Sequence, residues 1–295
     1  MLETRLLVLF VALADDLHFG RAADRLGVAQ SALSQGIRRL EDGLGTVLFE
    51  RGGRTAVRLT RAGATFLGEA RATLARLDQA ERLARLAGRG EAGPLVIGYV
   101  LSAAICGLLP DFLRRLRVQL PLLAVHPQQM ETPEQLAALA EGRLDIGLIR
   151  PRPVYAPPIV ARVMHREPLA LAMAAGHPLT SGHAVAPHDL AGETFIIPAF
   201  HETSGLVDHL HRLAARGAFA LGTVHQVGDF VTAFALAAAG HGLVLAPRSL
   251  IALAVPGLVW RDLVDHDDTI ALALAWRDDF ADAVRDRAVA VAIAP

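Results

Sequence analysis

The apolar positions near the start of the chain follow two helical repeats separated by a short break. Residues 20–26 have helical spacing, and a second helix is predicted over residues 30–42. On that second helix Leu33, Ile37 and Leu40 recur at spacings of four and three, so they form one apolar face. The opposite face carries the polar residues Gln30, Ser31, Ser34, Gln35, Arg38 and Arg39. Because such side chains hydrogen-bond base edges and phosphates, and a helix fits the major groove, the pattern predicts a helix-turn-helix that binds DNA.

An apolar run precedes this motif, over residues 6–14, and it permits two interpretations. It ends in Ala-Leu-Ala and resembles a signal peptide with its cleavage site, which would indicate a secreted protein. Its flank, however, contains Glu3 as well as Arg5 and is therefore not positively charged. The run also supplies a helical stripe that suits the first helix of a three-helix DNA-binding domain, formed by Leu6, Phe10, Leu13 and Leu17. We favour the second interpretation.

A single long helix is predicted over residues 62–87. Its apolar positions recur at threes and fours, at Phe66, Ala70, Leu74, Leu77, Ala80 and Ala84. A helix of this length with one narrow stripe favours a partner helix, so we predict a dimerising linker. Packing within its own chain is the alternative. A flexible break is expected over residues 88–94, because this segment is rich in glycine and ends in Pro94.

Beyond the break the pattern changes to alternating strands and helices. Strands are predicted at 95–99, 122–126, 144–149, 169–174, 194–197, 242–245 and 269–276, and helices at 103–118, 133–141 and 205–214. This alternation predicts an α/β domain with a mostly parallel sheet that is covered on both faces.

The charge of the chain is divided between its two parts. Residues 1–90 contain 14 arginines and 10 acidic residues, whereas residues 91–295 contain 15 arginines and 20 acidic residues. The basic part is the one with the DNA-reading pattern. After the second helix come four arginines without an intervening acid, Arg51, Arg54, Arg58 and Arg61, which predict a wing that contacts phosphates, although a solvated loop is the alternative. The chain has no Lys and no Asn, so we expect Arg, Gln, Ser and Thr side chains to make the contacts with DNA bases.

No catalytic, metal-binding or cofactor-binding motif is found. The single cysteine, Cys106, excludes an intramolecular disulfide and is expected to pack as a small apolar group on a helix. His201-Glu202 begins like a zinc-protease motif, but Gly205 stands where the second histidine is required. His209 and His211 are two residues apart on a predicted helix and therefore face different sides. We expect no enzyme activity, no metal and no cofactor.

The DNA-reading segment also resembles a known family. The residues that carry the resemblance are Phe10, His18–Ala23, Leu26, Gln30–Ser34, Ile37, Leu40-Glu41, Leu44-Gly45, Leu48–Arg51 and Leu59–Gly63. In this order and spacing they resemble the N-terminal signature of LysR-type transcriptional regulators. Two positions depart from it. Ala29 is a poor helix cap, at a cost of about 1 kcal/mol, and Gly36 lies inside the second helix, at a cost of roughly 0.5–1 kcal/mol relative to alanine.

The resemblance extends over the rest of the chain. Gly98, Leu108–Pro110, Gly142–Asp145, Gly176–Leu179, Ala239–Gly242 and Pro247 fit the effector domain of the family. That domain has two Rossmann-like lobes with a hinged cleft, similar to type II periplasmic binding proteins. The resemblance implies a winged helix-turn-helix (1–61), a dimerising linker helix (62–90) and an effector domain (91–295). Lobe I would comprise 91–164 and 269–295, and lobe II 165–268, with crossings near 163–167 and 268–273.

A ligand site is expected where strands end, because helix N-termini there present free N–H groups. Ser102, Thr132 and Ser204 each stand at the predicted start of a helix, where each could instead be an N-cap. Arg150 ends an apolar strand beside two of these helix starts, which favours a carboxylate site. A surface ion pair is the alternative for Arg150.

Three segments narrow the resemblance to one branch of the family. Residues 97–102, 131–135 and 149–151 look like the branch that senses aromatic-degradation metabolites such as benzoate, muconate or chloroaromatic acids. In that branch the residues matching Ser102, Thr132 and Arg150 contact the effector. The segment Ile197–Phe200 resembles the part of lobe II that closes on it, which adds Phe200 and Ser204 to the expected site.

These expectations combine into one functional hypothesis. We expect a cytoplasmic LysR-type regulator whose partners are promoter DNA, a small carboxylate effector and other copies of itself. The family implies a dimer through the linker helix, a homotetramer on DNA and contact with RNA polymerase, without membrane association. Two alternatives remain, a secreted solute-binding protein and a small-molecule enzyme built on the same lobes.

Overall fold

The computed structural model describes residues 2–52, 56–182, 184–198 and 205–294. Its contacts divide the chain into two compact units, Met1–Leu86 and Ala87–Pro295.

The first unit contains helices and a two-stranded wing. Its elements are α1 (Thr4–Asp16), α2 (Phe19–Leu26), α3 (Gln30–Leu44), β1 (Phe49–Gly52), β2 (Ala56–Leu59) and α4, which begins at Arg61 and continues to Gly88. β1 and β2 pair antiparallel. The helix-turn-helix predicted from the apolar spacing is therefore confirmed, and α3 is two residues longer than predicted.

Local sequence determines where α2 and α3 begin and end. His18 caps α2, since its Nδ1 accepts a hydrogen bond from the N–H of Arg21 (3.2 Å). Both helices end at a glycine, Gly27 and Gly45, each with φ of 64°, in the left-handed region where glycine is favoured. Ala29 precedes α3 and makes no side-chain cap, as its type predicts. The first N–H groups of α3 are therefore left to water or to a ligand.

The core of the first unit is aromatic at its centre. The Phe10 ring lies 5.3 Å from the Phe49 ring and 5.0 Å from the Phe66 ring, measured between centroids. The apolar run over residues 6–14 belongs to this core as part of α1. The prediction that Leu17 belongs to the α1 stripe is wrong, because this residue is 42% exposed. It adopts a left-handed conformation (φ 47°) that ends α1, which places its side chain outside the stripe.

The apolar stripe of α4 changes character along the helix. Phe66, Ala70 and Leu74 pack against the core of the first unit. From residue 75 to residue 85 every side chain is exposed, and Leu77 is 41% and Leu83 is 43% exposed. The second half of the stripe is thus not covered by the described part of this chain.

The break expected over residues 88–94 is shorter than predicted, and its residues are packed. The next strand begins at Ala92, so only residues 89–91 lie between the two elements. Arg287 donates hydrogen bonds to the backbone oxygen of Arg89 (3.2 Å) and to Glu91 (3.0 Å). Gly90 has a φ of 70°, and a Cβ there would lie 2.0 Å from the backbone oxygen of Ala283, so the turn requires glycine.

The second unit is an α/β domain of two lobes. Its strands are β3 (Ala92–Tyr99), β4 (Leu122–Gln129), β5 (Ile146–Ile149), β6 (Ile159–Ala174), β7 (Ala184–Val185), β8 (Phe195–Pro198), β9 (Val224–Val227), β10 (Val244–Pro247), β11 (Leu258–Leu263) and β12 (Thr269–Arg277). Its helices are α5 (Leu101–Ile105), α6 (Leu108–Gln119), α7 (Thr132–Ala140), α8 (Leu206–Arg216), α9 (Phe230–Ala238) and α10 (Ala283–Ile293).

The sheet is mixed, so the prediction of a mostly parallel sheet is wrong. The strand order is β4-β3-β5-β12-β6-β11-β7, and β10 also pairs with β6. β3 is parallel to β4 and β5, but β12 is antiparallel to β5 and β6, and β6 is antiparallel to β10 and β11. Each antiparallel pair of this sheet includes β6 or β12, the two strands that connect the lobes.

The long strand β6 belongs to both lobes. Its residues up to Pro168 pair with β12, and those from Leu169 pair with β10 or β11. The chain therefore passes from one lobe to the other at Pro168-Leu169, just beyond the predicted crossing at 163–167. The return lies where β12 begins at Thr269, within the predicted segment.

The single helix predicted over 103–118 is wrong, because it is divided into α5 and α6. Gly107 lies between them with a φ of 91°, a conformation that glycine adopts readily. Cys106 consequently ends α5 instead of lying within a helix, and it is half-buried.

Candidate functional site

The polar face of α3 is exposed, as a DNA-reading helix requires. Gln30, Ser31, Gln35, Arg38 and Arg39 are exposed and Ser34 is partly exposed. The opposite face is anchored by Leu33, Ile37 and Leu40, which are at most 1% exposed. The face predicted to contact DNA is therefore available.

Two contacts link α3 to α1 and to the residue that precedes α1. A Cβ at Gly36 would lie 2.4 Å from Cδ1 of Leu9, so glycine at this position allows α1 and α3 to pack closely. Arg39 forms an exposed ion pair with Glu3 at 3.3 Å, which contributes at most about 1 kcal/mol and is readily exchanged for phosphate.

The wing is attached to α3 by a buried carboxylate. Oε1 of Glu41 accepts hydrogen bonds from the N–H groups of Leu48 (2.8 Å) and Phe49 (3.2 Å). Glu41 is 9% exposed. It fixes the start of β1 relative to the recognition helix, a role that the sequence did not indicate.

Only part of the predicted arginine wing can be placed. Arg58 on β2 and Arg61 at the start of α4 are exposed. Arg54 lies outside the described residues, and for Arg51 the structure describes the backbone, in β1, but not the side chain.

A pocket of about 280 Å³ lies in the second unit, between the two lobes. It is lined by Arg150, Pro151, Arg152, Pro153, Arg166, Gly205, Asp208, His209, Arg212, Thr269, Ile270 and Ala271. Four of these residues are arginines and one is an aspartate, so the pocket is strongly cationic. It is formed by the segment after β5, the strands β6 and β12, and the start of α8.

Arg150 is held by its own backbone and by its guanidinium. Its N–H donates to Oγ1 of Thr132 (3.0 Å), and its Nη1 donates to the backbone oxygen of Ala271 (3.0 Å). Its Nη2 donates to Oγ of Ser102. Within the described residues it forms no ion pair, so the alternative of a surface ion pair is not supported.

The charge of Arg150 persists despite its surroundings. Burial lowers the pKa of Arg150 to about 10, and the negative charge of nearby Glu167 opposes this decrease. The guanidinium is therefore protonated at neutral pH, and an anion is its chemical complement.

Ser102 and Thr132 do not cap their helices. The N-cap of α5 is Val100 and that of α7 is Glu131, and both hydroxyl-bearing residues belong to the first turn. Each is 2% exposed, neither lines the pocket, and each hydroxyl accepts a hydrogen bond from Arg150. They position the arginine that lines the pocket. Phe200 and Ser204 lie outside the described residues.

A buried amide fixes α7 above the sheet. Nε2 of Gln135 donates to the backbone oxygens of Met130 (2.8 Å) and Leu148 (3.3 Å). A Cβ at Gly98 or at Gly147 would lie 2.9 Å from Oε1 of Gln135, so the two glycines leave space for the amide. This packing holds Thr132 beside the end of β5.

The lobe II side of the pocket carries a charged network that the sequence did not predict. Nδ1 of His209 lies 2.6 Å from Oδ2 of Asp268, and Nε of Arg212 donates to the same oxygen (2.9 Å). Because a carboxylate only accepts, Nδ1 carries the proton, and the 2.8 Å contact from Arg212 to Nδ1 is not a hydrogen bond. Burial lowers the pKa of His209, and the hydrogen bond to Asp268 opposes this.

In the described part of the chain, no helix has the length and apolar composition of a membrane span.

Both parts of the chain match known families. Residues 4–64 match the bacterial regulatory helix-turn-helix protein, lysR family, and residues 88–291 match the LysR substrate binding domain. An uncharacterized HTH-type transcriptional regulator, YnfL of Escherichia coli (strain K12), is 35% identical over 275 residues, which are 93% of this chain and 92% of YnfL. The HTH-type transcriptional regulator CatR of Pseudomonas putida is 35% identical over 249 residues, 84% of each chain.

Solved structures agree with the sequence matches. The crystal structure of CbnR, a LysR family transcriptional regulator, resembles this chain with a TM-score of 0.79 at 26% identity, and covers 99% of this chain and 100% of CbnR. Full-length CbnR complexed with its target DNA gives a TM-score of 0.79 at 27% identity, with 99% and 98% covered. The exposed face of α3, the wing and the two-lobed domain thus occur together in a family that both sequence and structure identify, and this chain belongs to the LysR family of transcriptional regulators.

Proposed function

We propose that this regulator responds to a small organic acid, which it binds in the pocket between the lobes with Arg150 as the main carboxylate contact. The observation that carries the proposal is the set of four arginines around one pocket. Arg212 is paired with Asp268, whereas Arg150 has no carboxylate partner in the described residues. Two of the five guanidinium N–H donors of Arg150 are used by Ala271 and Ser102, which leaves donors for a carboxylate.

The size and charge of the pocket restrict the effector class. A volume of about 280 Å³ fits a molecule of the size of benzoate or muconate. Three of the four pocket arginines, Arg150, Arg152 and Arg166, come from lobe I or from β6, the strand that connects the lobes. The segments around Ser102, Thr132 and Arg150 also look like the branch that senses aromatic-degradation metabolites. Phe200 and Ser204 stay proposed contacts from lobe II.

Calorimetric titration with benzoate, muconate and aliphatic dicarboxylates tests the proposal. We expect saturable binding of at least one acid, and Arg150→Ala should weaken it by a factor of 10 or more, because a charge-assisted bidentate contact contributes about 1.5–3 kcal/mol. Arg117→Ala, which removes an exposed arginine on α6 away from the pocket, is the matched control. Equal affinity in Arg150→Ala and the wild type would refute the role of Arg150. If none of the acids binds, the organic-acid proposal is wrong.

We further propose that α3 and the wing contact DNA through Gln30, Ser31, Ser34, Gln35, Arg38, Arg39, Arg51 and Arg54. The exposed polar face of α3 supports the first six. Arg38→Ala should weaken binding to the cognate promoter about 5- to 150-fold, the effect of losing a contact worth 1–3 kcal/mol to a base edge. Fluorescence anisotropy with labelled promoter DNA measures this, with Arg76→Ala on the exposed part of α4 as control. An unchanged affinity for Arg38→Ala would remove this residue from the interface.

We propose that the regulator works in the cytoplasm as a homotetramer and binds its effector without converting it. Binding would favour one arrangement of the lobes and shift an existing equilibrium of the oligomer. The linker helices would pass this shift to the DNA-reading units and so alter promoter bending and contact with RNA polymerase. Recovery of the bound acid chemically unchanged after prolonged incubation is the expected result, whereas turnover would favour an enzyme.

A further inference from the structure

Three potential metal ligands meet beside the strand that connects the lobes. Cys106, His165 and Glu167 each offer one ligand atom, and these atoms all lie within 4.8 Å of one another. Cys106 ends α5, whereas His165 and Glu167 are two residues apart on β6 and therefore point to the same face of that strand. Arg166, between them, lines the pocket, and none of the three ligand residues does. The cluster therefore does not line the proposed effector pocket, although Arg150 lies near it.

The carboxylate of the cluster has an unpaired oxygen. Glu167 is 6% exposed, and its Oε2 accepts a hydrogen bond from the N–H of Ser249 (2.7 Å). Its Oε1 is buried and has no hydrogen-bond partner in the described part of the chain. A buried polar atom without a partner costs about 1–3 kcal/mol, and more when it is charged. Arg150, the nearby cation, directs its side-chain hydrogen bonds to Ala271 and Ser102 instead. The oxygen therefore lacks a partner that a bound cation would supply.

The three donor types are those of a zinc site. A thiolate, an imidazole and a carboxylate are the ligands that Zn²⁺ takes in proteins, whereas Ca²⁺ and Mg²⁺ prefer oxygen alone. In a tetrahedral site the sulfur and nitrogen ligands lie about 3.6 Å apart, given Zn–S and Zn–N bonds of about 2.3 and 2.0–2.1 Å. The ligand atoms lie at most 4.8 Å apart, and Cys106 and His165 are both only partly buried. We propose that Cys106, His165 and Glu167 bind one divalent metal ion of the zinc type, with a fourth position left for water or another ligand.

The position of the cluster gives the metal a structural consequence. Cys106 belongs to α5 in lobe I, and Glu167 is hydrogen-bonded to Ser249, at the start of the 3₁₀ helix Arg248–Leu253 in lobe II. An ion held by these residues would therefore connect elements of both lobes beside the crossing at Pro168. The regulator would then receive a metal ion as an input in addition to an organic acid.

Titration of untagged full-length protein with Co²⁺ tests the proposal. Cys106 is the only cysteine of the chain, so thiolate-to-cobalt charge-transfer absorption reports on this site alone. We expect this absorption to saturate at one Co²⁺ per chain and to disappear when Zn²⁺ is added. Cys106→Ser should abolish the absorption, and His165→Gln and Glu167→Gln should each weaken Co²⁺ binding at least 10-fold. His126→Gln, which removes an exposed histidine on β4, is the matched control and should bind like the wild type.

Two results would overturn the proposal. One is the absence of charge-transfer absorption at saturating Co²⁺, which would mean that the thiol is not a ligand. The other is Co²⁺ affinity unchanged in both His165→Gln and Glu167→Gln. These two variants retain Cys106, so they decide the question even if Cys106→Ser fails to fold, which circular dichroism would reveal.

Discussion

At the scale of the residue, Arg150 is the centre of the proposed effector site. From the sequence alone, Ser102 and Thr132 have two possible roles, as N-caps or as ligand contacts. In the structure both hydroxyls accept hydrogen bonds from Arg150, one from its guanidinium and one from its backbone N–H. Thr132 thus holds the backbone of Arg150 and Ser102 its guanidinium, so binding does not have to order that side chain.

How far the sequence predicted this site depends on where each residue stands. Arg150 follows directly after an apolar strand, and the ends of strands are where ligands bind in α/β lobes. Arg166 and Arg212 have no such position at the end of a strand, because Arg166 lies within β6 and Arg212 within α8. Only the tertiary structure brings them to the pocket. The cluster of Cys106, His165 and Glu167 has no sequence signal for the same reason, since Cys106 is 59 positions from His165 in sequence.

A residue prediction concerns the buried carboxylate of Glu41. Glu41→Ala removes the acceptor of two buried N–H groups and should destabilise the wing by about 2 kcal/mol. Hydrogen exchange measured by mass spectrometry should become faster in peptides that contain Leu48 and Phe49. Asp42→Ala, which changes the adjacent exposed acid, should leave exchange unchanged. Equal protection in Glu41→Ala and the wild type would contradict the anchoring role.

A pH prediction concerns His209. Burial lowers the pKa of His209, so the folded chain takes up this proton at a lower pH than the unfolded chain does. The unfolded state then binds more protons as the pH falls below the ordinary histidine pKa of about 6.5, and the folded state loses stability. Asp268 acts in the same direction at more acidic pH. Burial raises its pKa, but the hydrogen bonds from Arg212 and His209 outweigh burial, and its pKa is lowered overall.

Urea unfolding at pH 7.5 and at pH 5.5 measures the effect of His209. His209→Gln keeps a donor for Asp268 but does not titrate, so the loss of stability between the two pH values should be smaller than in the wild type. His211→Gln, on the exposed side of the same helix, should behave like the wild type. A pH dependence in His209→Gln identical to that of the wild type would show that this histidine does not contribute.

At the scale of the element, apolar spacing predicted the helices of the first unit, whereas α9 and α10 of the second unit were not predicted. The stripe of α3 and the length of α4 follow from apolar spacing, and buried apolar runs identified β5, β8 and β10. β9 and β11 were not predicted, because their residues are mostly partly buried and their sequences lack a continuous apolar run. The break between α5 and α6 has a sequence signal in Gly107, which a purely periodic interpretation ignores.

An element prediction concerns the exposed half of α4. Leu77 is 41% exposed in the single chain, as expected of a stripe that packs against a second copy. Leu77→Glu should convert the oligomer to smaller species in sedimentation velocity, because it places a charge in an apolar helix contact. Val118→Glu alters a residue on α6 that is 75% exposed, and it should leave the oligomer unchanged. An unaltered sedimentation coefficient for Leu77→Glu would contradict the dimerising role of α4.

At the scale of the whole molecule, the two units have chemically different surfaces. The first unit presents an exposed helix face with Arg38 and a wing with Arg58, and the second contains a cationic pocket between two lobes. A cationic pocket is complementary to a small anion, whereas an exposed polar helix face is complementary to a groove of DNA. The LysR family combines a DNA-binding domain with an effector-binding domain. The account therefore requires that occupation of the pocket changes how the DNA-reading units engage the promoter.

DNase footprinting of the cognate promoter, with and without the acid that binds most tightly in calorimetry, tests that requirement most directly. The account predicts that saturating acid changes the length or the hypersensitive positions of the wild-type footprint. It also predicts that Arg150→Ala keeps the acid-free footprint and no longer responds to the acid. Identical wild-type footprints in both conditions would contradict the coupling, and an acid response retained in Arg150→Ala would place the effector site elsewhere.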